Sequence, residues 1–256
     1  MAVAIPPRRP PPPQLDDACA LFLDVDGTLL EFAVQPDLVR LPLGALETLG
    51  RISDRLGGAL ALVSGRPLSE LDHLFAPMRL PAAGLHGQDF RGAASCSVPR
   101  SGDALAALRH EAAQLAERHP GVWIEDKGAN LALHWRAAPQ FAAQVQAFAD
   151  AQLPSLQGYR LQPGDHVLEL VPADVDKGRA VHTLLTEAPF HGRTPVFVGD
   201  DLTDEYGFAA ANAAGGWSVL VGDRANSHAQ YQLSNPVVVH AWLRHQLVPE
   251  SSMEKA

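Results

Sequence analysis

Residues Leu21–Leu30 read LFLDVDGTLL, an apolar run that reaches two aspartates one residue apart and then Gly27 and Thr28. Apolar residues without polar alternation fit a strand covered on both faces, as in a parallel sheet. In an open α/β sheet ligands bind beyond the carboxyl ends of the strands, and Asp24 and Asp26 fall there. Two carboxylates this close repel each other unless a cation or proton intervenes, so the pair calls for a divalent metal, and hard oxygen ligands favour Mg²⁺. The pair also suits covalent phosphoryl transfer, with Asp24 as nucleophile and Asp26 as general acid and then base. Gly27 permits a tight turn, and Thr28 offers its hydroxyl and amide to phosphate oxygens.

The 256 residues are 46% hydrophobic and 19% charged, enough for a proper core in one large domain or two smaller ones. A net charge of −9 argues against a broad nucleic-acid interface. Cys19 and Cys96 show neither metal spacing nor a disulfide framework, which fits a reducing cytoplasm. No apolar stretch approaches the ~20 residues of a membrane span. Residues 1–15, with their IPPRRPPPPQ segment, read as a disordered Pro-rich tail. No long heptad or exposed apolar stripe is visible, so a monomer is expected.

Along the chain, Leu43–Leu56 spaces its apolar residues by three or four, as in an amphipathic helix, and Gly57-Gly58 ends it. Ala59–Val63 reads as a second buried strand ending in Ser64-Gly65-Arg66, so a right-handed βαβ crossover puts Ser64 and Arg66 on the same sheet edge as Asp24, where the Ser64 hydroxyl can bind phosphate and Arg66 can reach a phosphate oxygen of a substrate. A short helix from Pro67 to Phe75 and a strand and turn at Leu80–Gln88, carrying His86, follow. The texture changes from about Val98. Ser101 opens a helix with Leu105, Leu108, Ala112 and Leu115 on one face; strands at Val122–Glu125 and Asn130–Arg136 flank a Lys127-Gly128 turn. A second helix covers Phe141–Leu153, and a second hairpin pairs Tyr159–Leu161 with His166–Leu170 around Gln162–Asp165. Residues 98–171 are therefore expected to form an inserted α+β domain within an α/β core of residues 16–97 and 172–256. The parallel texture then resumes with a helix at Lys177–Leu185, a strand at Pro195–Val198 ending in GDDLTD, and last strands at Trp217–Val221 and Pro236–Val239.

The βαβ logic gathers Asp24, Asp26, Ser64, Arg66, Lys177 and the Asp200/Asp201/Asp204 cluster at one edge. Phosphate-ester hydrolysis demands such a set, because its catalysis is largely positioning and charge neutralisation. Lys177 would neutralise the nucleophile and phosphoryl oxygens, while Asp200, with Asp201 or Asp204 behind it, completes an Mg²⁺ shell with Asp24 and the Asp26 backbone carbonyl.

DVDGT, SGR, the lysine of DKG and GDDLTDE resemble the four motifs of the haloacid-dehalogenase superfamily of phosphohydrolases, and the insertion resembles its cap. More narrowly, GLHGQDFR (84–91), IEDKGANLALHWR (124–136), LELVPADVDKGRAV (168–181) and GDDLTDEYGF (199–208) resemble trehalose-6-phosphate phosphatases. The resemblance implies Mg²⁺-dependent hydrolysis of trehalose 6-phosphate, the last step of trehalose synthesis. It implies Asp24 as nucleophile, Asp26 as acid/base, Asp200 as metal ligand, and Ser64 and Lys177, with Thr28, as phosphate holders. In the cap it implies Glu125, Lys127 and Glu169 as ligands of the distal glucose; His86 of the core, beside Gly87 at a strand end, is expected near the substrate from its position. ADVDKG departs from the shortest family form of the lysine motif.

Core motifs do not separate trehalose 6-phosphate from sucrose phosphate, mannosylglycerate phosphate or a hexose phosphate; only the cap pattern favours the first. A catalytically silent sugar-phosphate-binding module is the rival from another class, and it would usually have lost one of Asp24, Asp26 or Asp200. The protein partner that the resemblance suggests is a trehalose-6-phosphate synthase of the same pathway.

Overall fold

The strand that carries the DVDGT motif, β1 (Cys19–Leu23), is buried at every residue, and the rest of a seven-stranded sheet is laid down beside it. The protein is described by a computed structural model covering residues 9–31, 40–92 and 105–248. After β1 come α1 (Ala45–Arg55), β2 (Leu60–Val63), α2 (Leu68–Leu74), β3 (Ala82–Gly84) and β4 (Asp89–Arg91). Next are α3 (Ala106–Arg118), β5 (Trp123–Asp126), β6 (Leu131–His134), α4 (Ala142–Gln152), β7 (Tyr159–Gly164) and β8 (Val167–Pro172). The chain closes with α5 (Lys177–Leu185), β9 (Thr194–Gly199), α6 (Asp204–Ala213), β10 (Trp217–Val221), β11 (Tyr231–Leu233) and α7 (Pro236–His245). The described residues divide into two compact units, the larger from residues 9–92, 176–200 and 204–248 and the smaller from 105–175 with 201–203.

In the larger unit the strand order is β11-β10-β9-β1-β2-β3-β4, with every pair parallel except β3–β4. The chain builds outward from β1 through β2 and β3, then returns to β1's other side with β9. That reversal puts a topological switch point between β1 and β9, where ligands of open α/β sheets bind. Leu23 pairs with Val198, so Asp24 and Asp200 emerge side by side from neighbouring strand tips.

The smaller unit is an antiparallel sheet, β5-β6-β8-β7. Leu131, Leu133, Leu168 and Leu170 point from it into an apolar cluster with Leu108, Ala112 and Leu115 of α3 and Val145 and Ala149 of α4. By alternation, Trp123, Glu125, His134 and Glu169 occupy the opposite face.

The structure corrects several expectations. Pro236–Val239 is not a strand but the first turn of α7. The β-branched run misleads; the Asn235 side chain accepts a hydrogen bond from the Val238 amide at 3.0 Å and Pro236 occupies the first helical turn, which is how helices start. Buried Val239, Trp242 and Leu243 then follow helical spacing. The last strand is instead Tyr231–Leu233, three residues too short to stand out. The second hairpin turns later than expected, at Asp165-His166, because β7 continues through Pro163 to Gly164; as an edge strand it tolerates a proline. The stretch read as strand and turn at Leu80–Gln88 holds β3 and a turn, and β4 follows as an unforeseen antiparallel partner.

Of the expected disordered tail 1–15, residues 1–8 lie outside the described residues, while residues 9–15 are fastened to the larger unit. Pro10 carbonyl accepts from Gln232 N at 3.0 Å, Pro13 carbonyl from Trp242 Nε1 at 3.2 Å, and Leu15 N donates to Gln246 Oε1 at 2.8 Å. Composition hides these bonds because prolines keep their carbonyl acceptors. Cys96 and the Ser101 helix start also lie outside the described residues. Among the described residues, no helix is long and apolar enough to cross a membrane.

Because Asn235 starts α7, Asn235→Ala is expected to cost about 1 kcal/mol, lowering the thermal midpoint by roughly 2–4 °C. Differential scanning calorimetry checks this, and an unchanged midpoint would show that Pro236 and packing start the helix alone.

Candidate active site

The tip of β1 turns sharply into the site. Asp24 N donates to Val198 carbonyl at 2.9 Å and Gly27 N to Leu30 carbonyl at 2.8 Å. Gly27 has φ +80°, and a Cβ there would lie 2.3 Å from an Asp200 carboxylate oxygen, so glycine alone lets that carboxylate enter. Asp200 is tethered twice more: its amide donates to Asp204 Oδ2 at 2.9 Å, and the buried Thr28 hydroxyl donates to Asp200 Oδ1 at 3.4 Å.

Lys177 is the first residue of α5, whose N-cap Asp176 accepts from Arg179 N at 2.8 Å. Gly178 brings α5 against α6, since a Cβ would meet Tyr206 carbonyl at 2.6 Å. The buried Lys177 ammonium thereby donates to Asp24 Oδ1 and Asp204 Oδ1, both at 2.6 Å. Gly199 admits Asp204 in the same way, as a Cβ would stand 2.3 Å from the Asp204 Cγ.

Asp24, Asp200 and Asp204 each place a carboxylate oxygen within 4.8 Å of the others. Three carboxylates facing one ammonium leave a formal charge of −2 in a largely buried pocket. Burial, resisted by Lys177 and reinforced by Asp204, pushes the Asp24 carboxyl up to about 7. Burial alone would lower the Lys177 ammonium, but Asp204 and Asp24 outweigh it and hold its pKa above the ordinary lysine value. The surplus charge therefore sits on the carboxylates. A hard divalent cation fits this donor set: it cancels the excess charge, and the span is close to the ~4.2 Å across an octahedron of ~2.1 Å Mg–O bonds.

Asp26 stands apart from that group. Arg66 grips it with two N–H donors, Nε to Oδ2 and Nη2 to Oδ1, each at 2.7 Å, and reaches Glu70 with Nη1 at 2.9 Å. Arg66, expected to meet phosphate, thus holds both oxygens of the Asp26 carboxylate. Glu70, missed in the sequence, lies four residues on, a spacing that can reveal such a helix-turn partner. Ser64 is buried at the tip of β2, its hydroxyl accepting from Arg66 N at 3.2 Å. His86, with φ +60°, packs its ring where a Gly65 Cβ would come within 2.7 Å. Asp201 is not in the carboxylate group; its Oδ1 accepts from Leu202 N at 2.6 Å.

In the smaller unit, the antiparallel register aligns Glu125 with Ala132 and Ala132 with Glu169. Lys127 Nζ bridges the row, 2.7 Å from Glu169 and 3.6 Å from Glu125. His134 Nε2 lies 2.9 Å from Glu125 Oε2, and the Trp123 indole stacks on the His134 ring with centroids 3.9 Å apart. Burial would raise the Glu125 carboxyl, but the His134 hydrogen bond and the Lys127 charge hold it below its ordinary value.

The sheet order and the carboxylate pocket define a haloacid-dehalogenase-like fold. The chain is similar to a haloacid dehalogenase-like hydrolase from Bacteroides thetaiotaomicron at TM-score 0.61 and 17% identity, over 88% of this chain and 98% of that one. It is similar to a C. albicans trehalose-6-phosphate phosphatase C-terminal domain at TM-score 0.79 and 19% identity, over 90% of this chain and 93% of that one. The trehalose-phosphatase family model matches residues 22–236. A trehalose-6-phosphate phosphatase of Escherichia coli (strain K12) is 41% identical over 235 residues, 90% of this chain and 87% of that protein. The chain belongs to the trehalose-phosphatase family, a family of phosphoric-ester-hydrolysing enzymes.

Folded and cation-free, Asp24 keeps its proton to about pH 7, whereas unfolded it loses it near 3.8. The native state thus holds more protons between those values, and stability falls as pH rises through that window. Asp24→Asn removes the titration, so in EDTA its thermal midpoint is expected to exceed the wild type's by several degrees at pH 8 and by less at pH 5. A variant no more stable at pH 8 would contradict the buried-charge account.

Proposed function

We propose that the chain hydrolyses trehalose 6-phosphate to trehalose and phosphate, with Mg²⁺ held by Asp24, Asp200 and the Asp26 backbone carbonyl, as a step of trehalose synthesis. The observation that carries the chemistry is Asp24 presented at the strand tip, 2.6 Å from Lys177 and within the Asp200/Asp204 group. Asp24 attacks phosphorus as the bond to the sugar oxygen breaks, and Asp26 gives that oxygen its proton. Asp26 then takes a proton from the water that attacks the aspartyl-phosphate, freeing phosphate and restoring the Asp24 carboxylate. Bound Mg²⁺ supplies charge neutralisation at the phosphoryl oxygens. Lys177 shares that work, Ser64 and Thr28 donate to the phosphoryl group, and Arg66 keeps Asp26 aimed.

The smaller unit acts as the cap. Its Glu125, Lys127 and Glu169 row offers both donors and acceptors, which a neutral disaccharide rich in vicinal hydroxyls requires. The buried free thiol of Cys19 accords with work in a reducing cytoplasm.

A panel of trehalose 6-phosphate, sucrose 6-phosphate and glucose 6-phosphate, assayed for phosphate release with Mg²⁺ and with EDTA, tests the reading. Preference for trehalose 6-phosphate and loss of activity in EDTA are expected; equal rates on glucose 6-phosphate would defeat the disaccharide assignment. Asp24→Asn should lower kcat by about 10³-fold or more while preserving the fold. Glu125→Gln should raise KM about 10- to 100-fold, the cost of a charged hydrogen bond, with a smaller change in kcat. A Glu125 variant altered only in kcat would remove it from sugar binding.

A further inference from the structure

Asp200's side chain is held by Thr28 and its amide by Asp204, but its backbone carbonyl is held from elsewhere. Arg224, in the connection between β10 and β11, donates from Nη2 to that carbonyl at 3.2 Å. Its Nη1 pairs with Glu205 and also donates to Asn226 carbonyl at 3.2 Å. Glu205 is fixed in turn, because its Oε2 accepts from His228 N at 2.7 Å. A cation behind a cation site is unfavourable unless balanced. Glu205 balances it, and though burial would raise the Glu205 carboxyl, the His228 amide, Ser227 and Arg224 hold it below its ordinary value.

The same connection is stapled by a residue more than two hundred positions away. Among the described residues the Arg9 guanidinium donates to four backbone carbonyls: Nε to Ala229 at 2.8 Å, Nη1 to Arg224 at 3.2 Å, and Nη2 to Ala225 and Ser227, both at 3.1 Å. Four acceptors around one planar fork fix the path of the 224–229 backbone, and with it the base from which the Arg224 side chain reaches Asp200.

We infer that Arg9 and Arg224 are positioning residues for the cation site, Arg9 setting the 224–229 loop and Arg224 fixing the Asp200 peptide so that its carboxylate is already aimed when a divalent cation arrives. The inference rests on the reading of Asp24, Asp200 and Asp204 as a cation site. In this inference both arginines act through the Asp200 peptide rather than as ligands themselves. Their effect is on affinity, because a ligand that must first be ordered binds more weakly, and residues that orient metal ligands typically contribute 10- to 100-fold in affinity.

Titration of metal-stripped protein with Mn²⁺, followed by electron paramagnetic resonance, reads this directly. Arg224→Met is expected to weaken Mn²⁺ about tenfold and Arg9→Met about threefold. The double variant should be no weaker than Arg224→Met, since Arg9 acts through Arg224. Arg9→Lys, which keeps the charge but loses the planar fork, should behave like Arg9→Met and guards against an effect of charge alone. In phosphate-release assays the Mg²⁺ midpoint should shift by the same factors, with kcat at saturating Mg²⁺ within about twofold of wild type; a merely structural loss would lower kcat or the unfolding midpoint without moving the cation midpoint. Arg224→Met binding Mn²⁺ as the wild type does, or additive losses in the double variant, would overturn the inference alone. A wild type that binds no Mn²⁺ would overturn the cation site itself and this inference with it.

Discussion

One electrostatic imbalance governs the larger unit: carboxylates outnumber the ammonium that faces them in a pocket from which water is largely removed. Lys177 lies 2.6 Å from both Asp24 and Asp204, and one positive charge cannot neutralise two partners and Asp200 as well. Buried charge of this kind is costly without a partner. The fold therefore holds the Asp24 carboxylate in an unfavourable state that a bound cation would relieve. In the proposed reading, the same strain that lowers the stability of the cation-free protein favours cation binding and keeps Asp24 available as the nucleophile.

That imbalance persists only because backbone architecture forces it. Three glycines remove the side-chain bulk that would keep the groups apart: Gly27 beside Asp200, Gly199 beside Asp204, and Gly178 between α5 and α6. Parallel β1 and β9 are in register, so the two strand tips cannot separate without breaking that buried parallel ladder. Asp24 and Asp200 are 176 residues apart, yet hydrogen bonding between neighbouring strands sets their spacing.

The β1, β2 and β9 strands and the helices between them were legible because each obeys a rule that acts locally. Apolar runs without alternation mark doubly covered strands, and three-or-four spacing marks α1. The reading failed where tertiary context outweighs local preference. Val237 to Val239 favour strands intrinsically, but Asn235 and Pro236 start a helix whose buried face continues to Leu243. Pro163 looks like turn chemistry, and an edge position lets it stay in β7. In the site, Asp24 and Lys177 were visible through motif chemistry, whereas the Arg224 bond to Asp200 was not. An arginine that donates to backbone carbonyls leaves no pattern in side-chain spacing, and Arg9 was hidden within a stretch whose composition reads as disorder.

The smaller unit solves a different physical problem with similar residues. Lys127 stands between Glu169 and Glu125, and His134 adds a second partner to Glu125, so each carboxylate of the row has a side-chain partner of its own. A network of that kind has no need of a cation, but its bonds are exchangeable: a hydroxyl can replace either partner of an ion pair, since it both donates and accepts. Cross-strand pairing holds Glu125 and Glu169 on one face, with an apolar cluster behind them that keeps the sheet from adjusting. The spacing of the carboxylates is thus fixed before any ligand arrives. Under the proposed function, affinity for a neutral polyol would depend on how well its hydroxyls match that spacing, so that shape rather than charge would be the basis of selection.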